Sequence, residues 1–139
     1  MNLAMKHGHE PQRLANMLDV LRGPKAPPLI SCQRYLDEAT VQRKADQFSV
    51  FIVRIHECEL RGKRYRMIID GHHNYAAAKL RGVEPVFRVP GAKFLRHLGK
   101  MSPRQQEAFL INNLTDCPHY YVETGEIVTE LEPRMEIGA

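Results

Sequence analysis

The sequence predicts a mixed α+β domain, and three observations carry that prediction. Helical and strand-like patterns follow one another in the order helix, strand, helix, hairpin, helix, strand, helix, hairpin. The β-branched run from Val50 to Leu60 is followed by a turn and a second strand-like run, Tyr65 to Ile69, which together propose a hairpin. That hairpin delivers the chain into Asp70-Gly71 and the helix-forming tract Ala76-Ala77-Ala78-Lys79-Leu80-Arg81, so strand, tight turn and helix meet between Met67 and Gly82.

Each element has its own local reason. After Glu10-Pro11, the residues Leu14, Met17, Leu18 and Leu21 recur at helical spacing up to Gly23-Pro24, which predicts a first amphipathic helix. The Pro- and Gly-rich stretch that follows is a connector, giving an organisation of helix and connector over residues 1–27 and the domain proper over residues 28–139. Leu29 to Cys32 reads as a short strand, and Ala39 to Phe48 suits a helix. Arg61-Gly62-Lys63-Arg64 reads as the hairpin turn, Gly82 as a C-cap, and Glu84 to Val89 as a further strand. Ser102-Pro103 is an N-cap and first-turn pair for a helix running through Glu107, Phe109 and Leu110 toward Asn112. Tyr120 to Val128 reads as a small hairpin that exposes its tyrosines, and the acidic tail from Glu130 is expected to fray.

Composition sets the outer bounds. At 139 residues, 43% hydrophobic and 26% charged, the chain reads as one globular domain able to bury a core. A formal charge of +4 and a pI near 9.1 give a mild basic bias, compatible with a polyanionic partner. Cys32, Cys58 and Cys117 have no CxxC spacing, and an odd count argues against a disulfide framework, so a reducing, cytoplasmic setting is expected. No apolar run approaches membrane-spanning length, and Met1 to His7 lacks a signal-peptide core. Walker-type loops, GxGxxG and GxSxG are all missing from the sequence.

Chemistry is therefore expected at the Asp70–Asn74 turn. The first-turn N–H groups around His72, His73 and Asn74, with the positive end of the helix dipole behind them, suit a phosphate or another anion. Two imidazoles there add donors or acceptors that titrate near neutral pH. Asp70 suits Mg²⁺ through water, or the orientation of a histidine, and is equally a good turn residue. On the outgoing strand, Glu57 and Glu59 share one face, where paired carboxylates can act as a base or hold a metal, though exposed hairpin acids are commonly just solvated. Arg61, Lys63, Arg64 and Lys79 form a basic group able to track a nucleic-acid backbone, with a merely charged turn as the plain alternative.

The run Asp70-Gly71-His72-His73-Asn74-Tyr75-Ala76-Ala77-Ala78-Lys79, followed by Gly82 and Glu84 to Val89, resembles the core motif of the ParB/sulfiredoxin superfamily over about residues 28–90. Gly71, Tyr75 and Ala77 stand at the motif's positions, and His73 matches a histidine that many members carry. Asn74 stands where the family has an arginine that helps hold phosphate, and His72 where sulfiredoxin has its catalytic cysteine, which excludes that reductase mechanism. The resemblance implies a stand-alone small member with a mixed sheet and flanking helices that binds a nucleoside triphosphate or nucleic acid in DNA handling. It implies a site of Gly71, His72, His73 and Asn74, in which His73 donates to a phosphoryl oxygen and Asp70 or Glu57 recruits Mg²⁺. Phosphoester hydrolysis, as a nuclease or a nucleotide hydrolase, phosphoryl transfer and nucleotide-gated switching all occur in different members of that family, and fold alone does not choose among them. A non-catalytic interaction module, an inhibitor or adaptor docking a protein partner through the hairpin around Tyr120 and Tyr121, is the alternative from another class; a simple DNA-binding protein is a third reading, and a homodimer is allowed.

Overall fold

The computed structural model describes residues 26–132. The predicted helix over residues 11–22, the first part of its connector and the end of the acidic tail lie outside them.

A five-stranded mixed sheet with helices beside it forms the domain, as an α+β reading requires. Its strands are β1 (Leu29–Ser31), β2 (Ile52–Leu60), β3 (Lys63–Asp70), β4 (Val86–Arg88) and β5 (Tyr120–Tyr121), in the order β4-β2-β3-β1-β5. The β2–β3 hairpin is the antiparallel centre, β1 runs parallel to β3, and β4 runs parallel to β2. The turn is tighter than the four residues expected: Arg61 and Gly62 alone turn the chain, both at positive φ (48° and 84°), as a two-residue hairpin of right-handed twist demands. Lys63 and Arg64 therefore belong to β3. The β2–β3 register shifts between Arg54 and Ile55, which bends β2 next to the end of β3.

Period-two alternation splits the sheet residues between two faces. Ile30, Leu60, Tyr65 and Met67 pack in one core with Leu98, Leu110, Ile111, Val128 and Leu131. Leu29, Val53 and Ile68 pack in another with Tyr75 and Val122. Each fully buried aliphatic side chain contributes about 1.5–3 kcal/mol by leaving water.

Among the described residues, four α-helices accompany the sheet: α1 (Glu38–Gln47), α2 (His72–Arg81), α3 (Ala92–Gly99) and α4 (Pro103–Asn112). Asp37 caps α1 by accepting from Thr40 N–H at 3.2 Å, and Arg81 caps its far end through the carbonyls of Ala45 and Phe48. Those contacts tie α1 to α2, with Phe51, Ala45, Ala77 and Ala78 buried between them. Ser102 and Gln105 close a reciprocal capping box on α4. Gly82 ends α2 in the left-handed conformation, as expected of a C-cap glycine.

Helix α3 is an element the sequence reading lacked. It spans only eight residues behind Pro90-Gly91, which look like a breaker, and its Leu98 is the one residue fully in the core. The tail expectation also needs correction. Thr129–Leu131 forms a 3-10 turn with Leu131 buried, and Glu130 accepts from the Tyr65 hydroxyl at 2.5 Å and meets Lys63 at 3.5 Å. The chain is docked at Glu130 rather than frayed.

Candidate functional site

Helix α2 begins in the middle of the fold, and a cleft of about 410 Å³ opens at its N-terminus. Gln33, Lys44, Ile52, Arg54, Asp70, Gly71, His72, His73 and Asn74 line it. The predicted turn thus brings Asp70, Gly71, His72, His73 and Asn74 together, and the fold adds residues from the end of β1, from α1 and from β2.

Gly71 makes this geometry. It sits at φ 94°, and a Cβ there would lie 2.7 Å from the Ile52 carbonyl and 3.0 Å from Val53 Cα. Both conditions demand glycine: a side chain would strain the backbone and drive α2 off β2. The Gly71 N–H donates to the carboxylate of its neighbour Asp70 at 2.8 Å. No side chain caps α2, so the N–H groups of His72, His73 and Asn74 start the helix at the cleft wall.

The histidines play different parts. His73 Nε2 accepts the Asp37 N–H at 3.2 Å, which fixes its proton on Nδ1 and ties α2 to the N-cap of α1. Any donation from His73 to a ligand therefore runs through Nδ1. His72 keeps a buried Nε2 with no hydrogen-bond partner among the described residues. Burial pushes the His72 pKa down, against the upward pull of Asp70 and Asp116, so the ring is neutral at pH 7.

Asn74 donates from Nδ2 to the Ile52 carbonyl at 2.9 Å and accepts from Lys44 Nζ at 2.9 Å. Its amide is therefore occupied on both sides, unlike the free phosphate contact expected. Arg54 donates to the Val89 carbonyl at 2.9 Å. Lys44 and Arg54, which the sequence reading did not single out, bring two cations to a cleft whose one lining carboxylate is Asp70.

Other expected site residues lie elsewhere. Glu57 pairs with Arg64 at 3.0 Å and lines a separate hollow with Phe87 and Leu95, so the structure does not bring it to the cleft. Arg61 donates to the carbonyls of Glu130 and Glu132 at 2.7 and 3.0 Å, Lys63 faces Glu130, and Lys79 sits over the Tyr75 ring at 5.3 Å. The basic hairpin is thus engaged with its own protein. Tyr120 and Tyr121 are half-buried, their hydroxyls donating to the Gln33 carbonyl at 3.0 Å and to Glu130 at 3.3 Å, so they form no exposed aromatic surface.

His119 is buried, with Nε2 at 3.1 and 3.3 Å from the carbonyls of Leu110 and Ile111. Its N–H satisfies the end of α4, and burial pushes its pKa down. Among the described residues, no three His, Cys, Asp or Glu side chains converge in a metal-holding group. Cys32, Cys58 and Cys117 are free thiols, and burial pushes Cys58 up to about 11. None of the described helices is long and apolar enough to cross a membrane. No family model, no curated protein and no solved structure matches the chain.

Proposed function

We propose that this protein binds a phosphate-bearing ligand, a nucleotide in the first instance, in the cleft at the start of α2. One observation carries the reading: an uncapped helix N-terminus, closely fitted to β2 at Gly71, opens on a cleft that two cations line. The helix N–H groups supply preorganised donors, and Lys44 and Arg54 supply charge. His72 also lines the cleft with a neutral imidazole, whose buried Nε2 has no hydrogen-bond partner among the described residues.

Mg²⁺ fits this site in a limited way. A small cation held by one carboxylate, water and ligand phosphates needs only Asp70, which is exposed at the cleft. Bound there, it would neutralise phosphate charge. Phosphoester hydrolysis is the stronger form of the same proposal, with His72 and Asp70 as the cleft's bases and the α2 N–H groups stabilising charge on oxygen. Binding to a nucleic-acid backbone through the β2–β3 hairpin is the weaker reading, because the cations there already have partners.

Calorimetric titration of ATP, ADP, CTP and GTP, each with and without Mg²⁺, into wild type, His72→Ala and His73→Ala tests the proposal. Saturable binding that weakens in the variants is expected. Absence of heat with every nucleotide, or binding indifferent to both substitutions, overturns it.

A further inference from the structure

We infer that Lys44 is a charged ligand contact of the cleft and that Asn74 is its positioning residue, an inference that rests on the phosphate-site reading above. Asn74 lies in the first turn of α2, where a ligand contact is expected, and each end of its amide already holds a protein partner. Nδ2 donates one of its two N–H groups to the Ile52 carbonyl, and Oδ1 accepts from Lys44 Nζ. Held at both ends, the amide sets where the Lys44 ammonium stands beside the helix start.

Lys44 reaches this place from α1, which is itself fixed against α2 by His73 on Asp37 and by Arg81 on Ala45 and Phe48. An ammonium has three N–H donors, and Asn74 takes one of them. The acceptor is a neutral amide, and among the described residues no carboxylate pairs with Lys44, so its charge stays available. The Phe48 ring, 5.6 Å from Nζ, limits where the side chain can swing. Asp70, the cleft's carboxylate, is turned to the Gly71 N–H. Arg54 lines the same cleft, but its guanidinium is drawn to Val89 beyond β4. Lys44 alone is anchored to the turn whose N–H groups form the site.

The unit divides one task between two residues. A charge within a hydrogen bond's length of the first helical turn comes from a different helix, and a neutral amide sets its position. Losing either half should cost the ligand the same contact.

Calorimetric titration of Mg-ATP at low and high salt into wild type, Lys44→Ala, Lys44→Arg, Asn74→Ala and the double alanine variant tests this. Loss of one charge-assisted hydrogen bond predicts affinity about 10- to 100-fold weaker in Lys44→Ala, with a flatter salt dependence. Lys44→Arg is expected to stay within about threefold of wild type. Asn74→Ala should weaken binding comparably, and the double variant should be no worse than Lys44→Ala, because the two residues act through one contact. Should Asn74→Ala fail to melt cooperatively, Asn74→Asp replaces it; its carboxylate would neutralise Lys44 and should weaken binding at least as much as Lys44→Ala. Wild-type affinity and salt dependence in Lys44→Ala overturn the role of Lys44, and additive losses in the double variant overturn the positioning role of Asn74. If wild type shows no saturable binding, both this inference and the phosphate-site reading fall.

Discussion

The α2 cleft and the β2–β3 hairpin each gather basic residues, and they use their charge in opposite ways. At the hairpin, Lys63 faces Glu130, Arg64 faces Glu57, and Arg61 takes the carbonyls of Glu130 and Glu132. In the cleft, Lys44 and Arg54 are held only by neutral acceptors, the amide of Asn74 and the carbonyl of Val89. The first arrangement ties Glu130 and Glu132 to the hairpin and the hairpin's two strands to each other. The second leaves charge beside unpaired helix N–H groups. The number of cations in a segment therefore says less about binding than the nature of what holds them.

The largest expected effect comes from the two glycines of these regions. Both have positive φ, but a Cβ at Gly62 meets open space, whereas at Gly71 it meets backbone at 2.7 Å. Gly71→Ala should lower stability by about 3 kcal/mol or more, roughly 10 °C in melting temperature, and Gly62→Ala by about 1 kcal/mol. Thermal melts of the two variants decide it, and equal losses would remove the claim that α2 is closely fitted to β2.

Next comes the anchoring of the C-terminal segment. Burial and the neighbouring Glu130 push the Tyr65 hydroxyl's pKa up, and its hydrogen bond helps hold the Glu130 carboxyl below its usual range. Tyr65→Phe removes that bond and should cost about 1–2 kcal/mol in a denaturant titration. Nucleotide affinity should not change, since neither residue lines the cleft.

A smaller effect should appear on acidification. Burial pushes the pKa values of His56, His72 and His119 below their ordinary 6.5. The unfolded chain therefore takes up protons first, and stability is flat above about pH 6.5 and falls as pH drops below it, by at most about 1.4 kcal/mol per pH unit for each group. Melting temperatures from pH 7.5 to 5 should show this decline, and His119→Gln, which can still donate to the end of α4, should flatten it. An unchanged slope would mean that His119 is not held neutral.

Smallest is Arg64→Ala. An exposed ion pair is worth under about 1 kcal/mol, so melts should barely move. Affinity for single- or double-stranded DNA should not move either. A strong, salt-dependent loss would turn the hairpin into a nucleic-acid interface and reverse the comparison.

What was legible in the sequence follows the same division. The strand, turn and helix around Gly71 could be read because Asp-Gly, an alanine tract and a closing glycine are local signals. Ser102-Pro103 announced α4 for the same reason. Helix α3 was missed although Phe94, Leu95 and Leu98 recur at helical spacing, because it is only eight residues long and follows a Pro-Gly pair that reads as a breaker. Lys44 looked like any lysine on an exposed helical face, and Arg54 like a strand residue, because what makes them part of the cleft is the packing of α1 on α2 and of β4 on β2. Glu130 looked like part of an acidic tail for the same reason: its partners lie on β3 and β5.

The most direct test is a nuclear magnetic resonance titration of Mg-ATP into isotope-labelled protein, following backbone amides. The account predicts that the largest shifts fall on His72, His73 and Asn74, with the Lys44 region following and the 61–66 hairpin unmoved. Shifts confined to the hairpin, or none at saturating nucleotide, would contradict it.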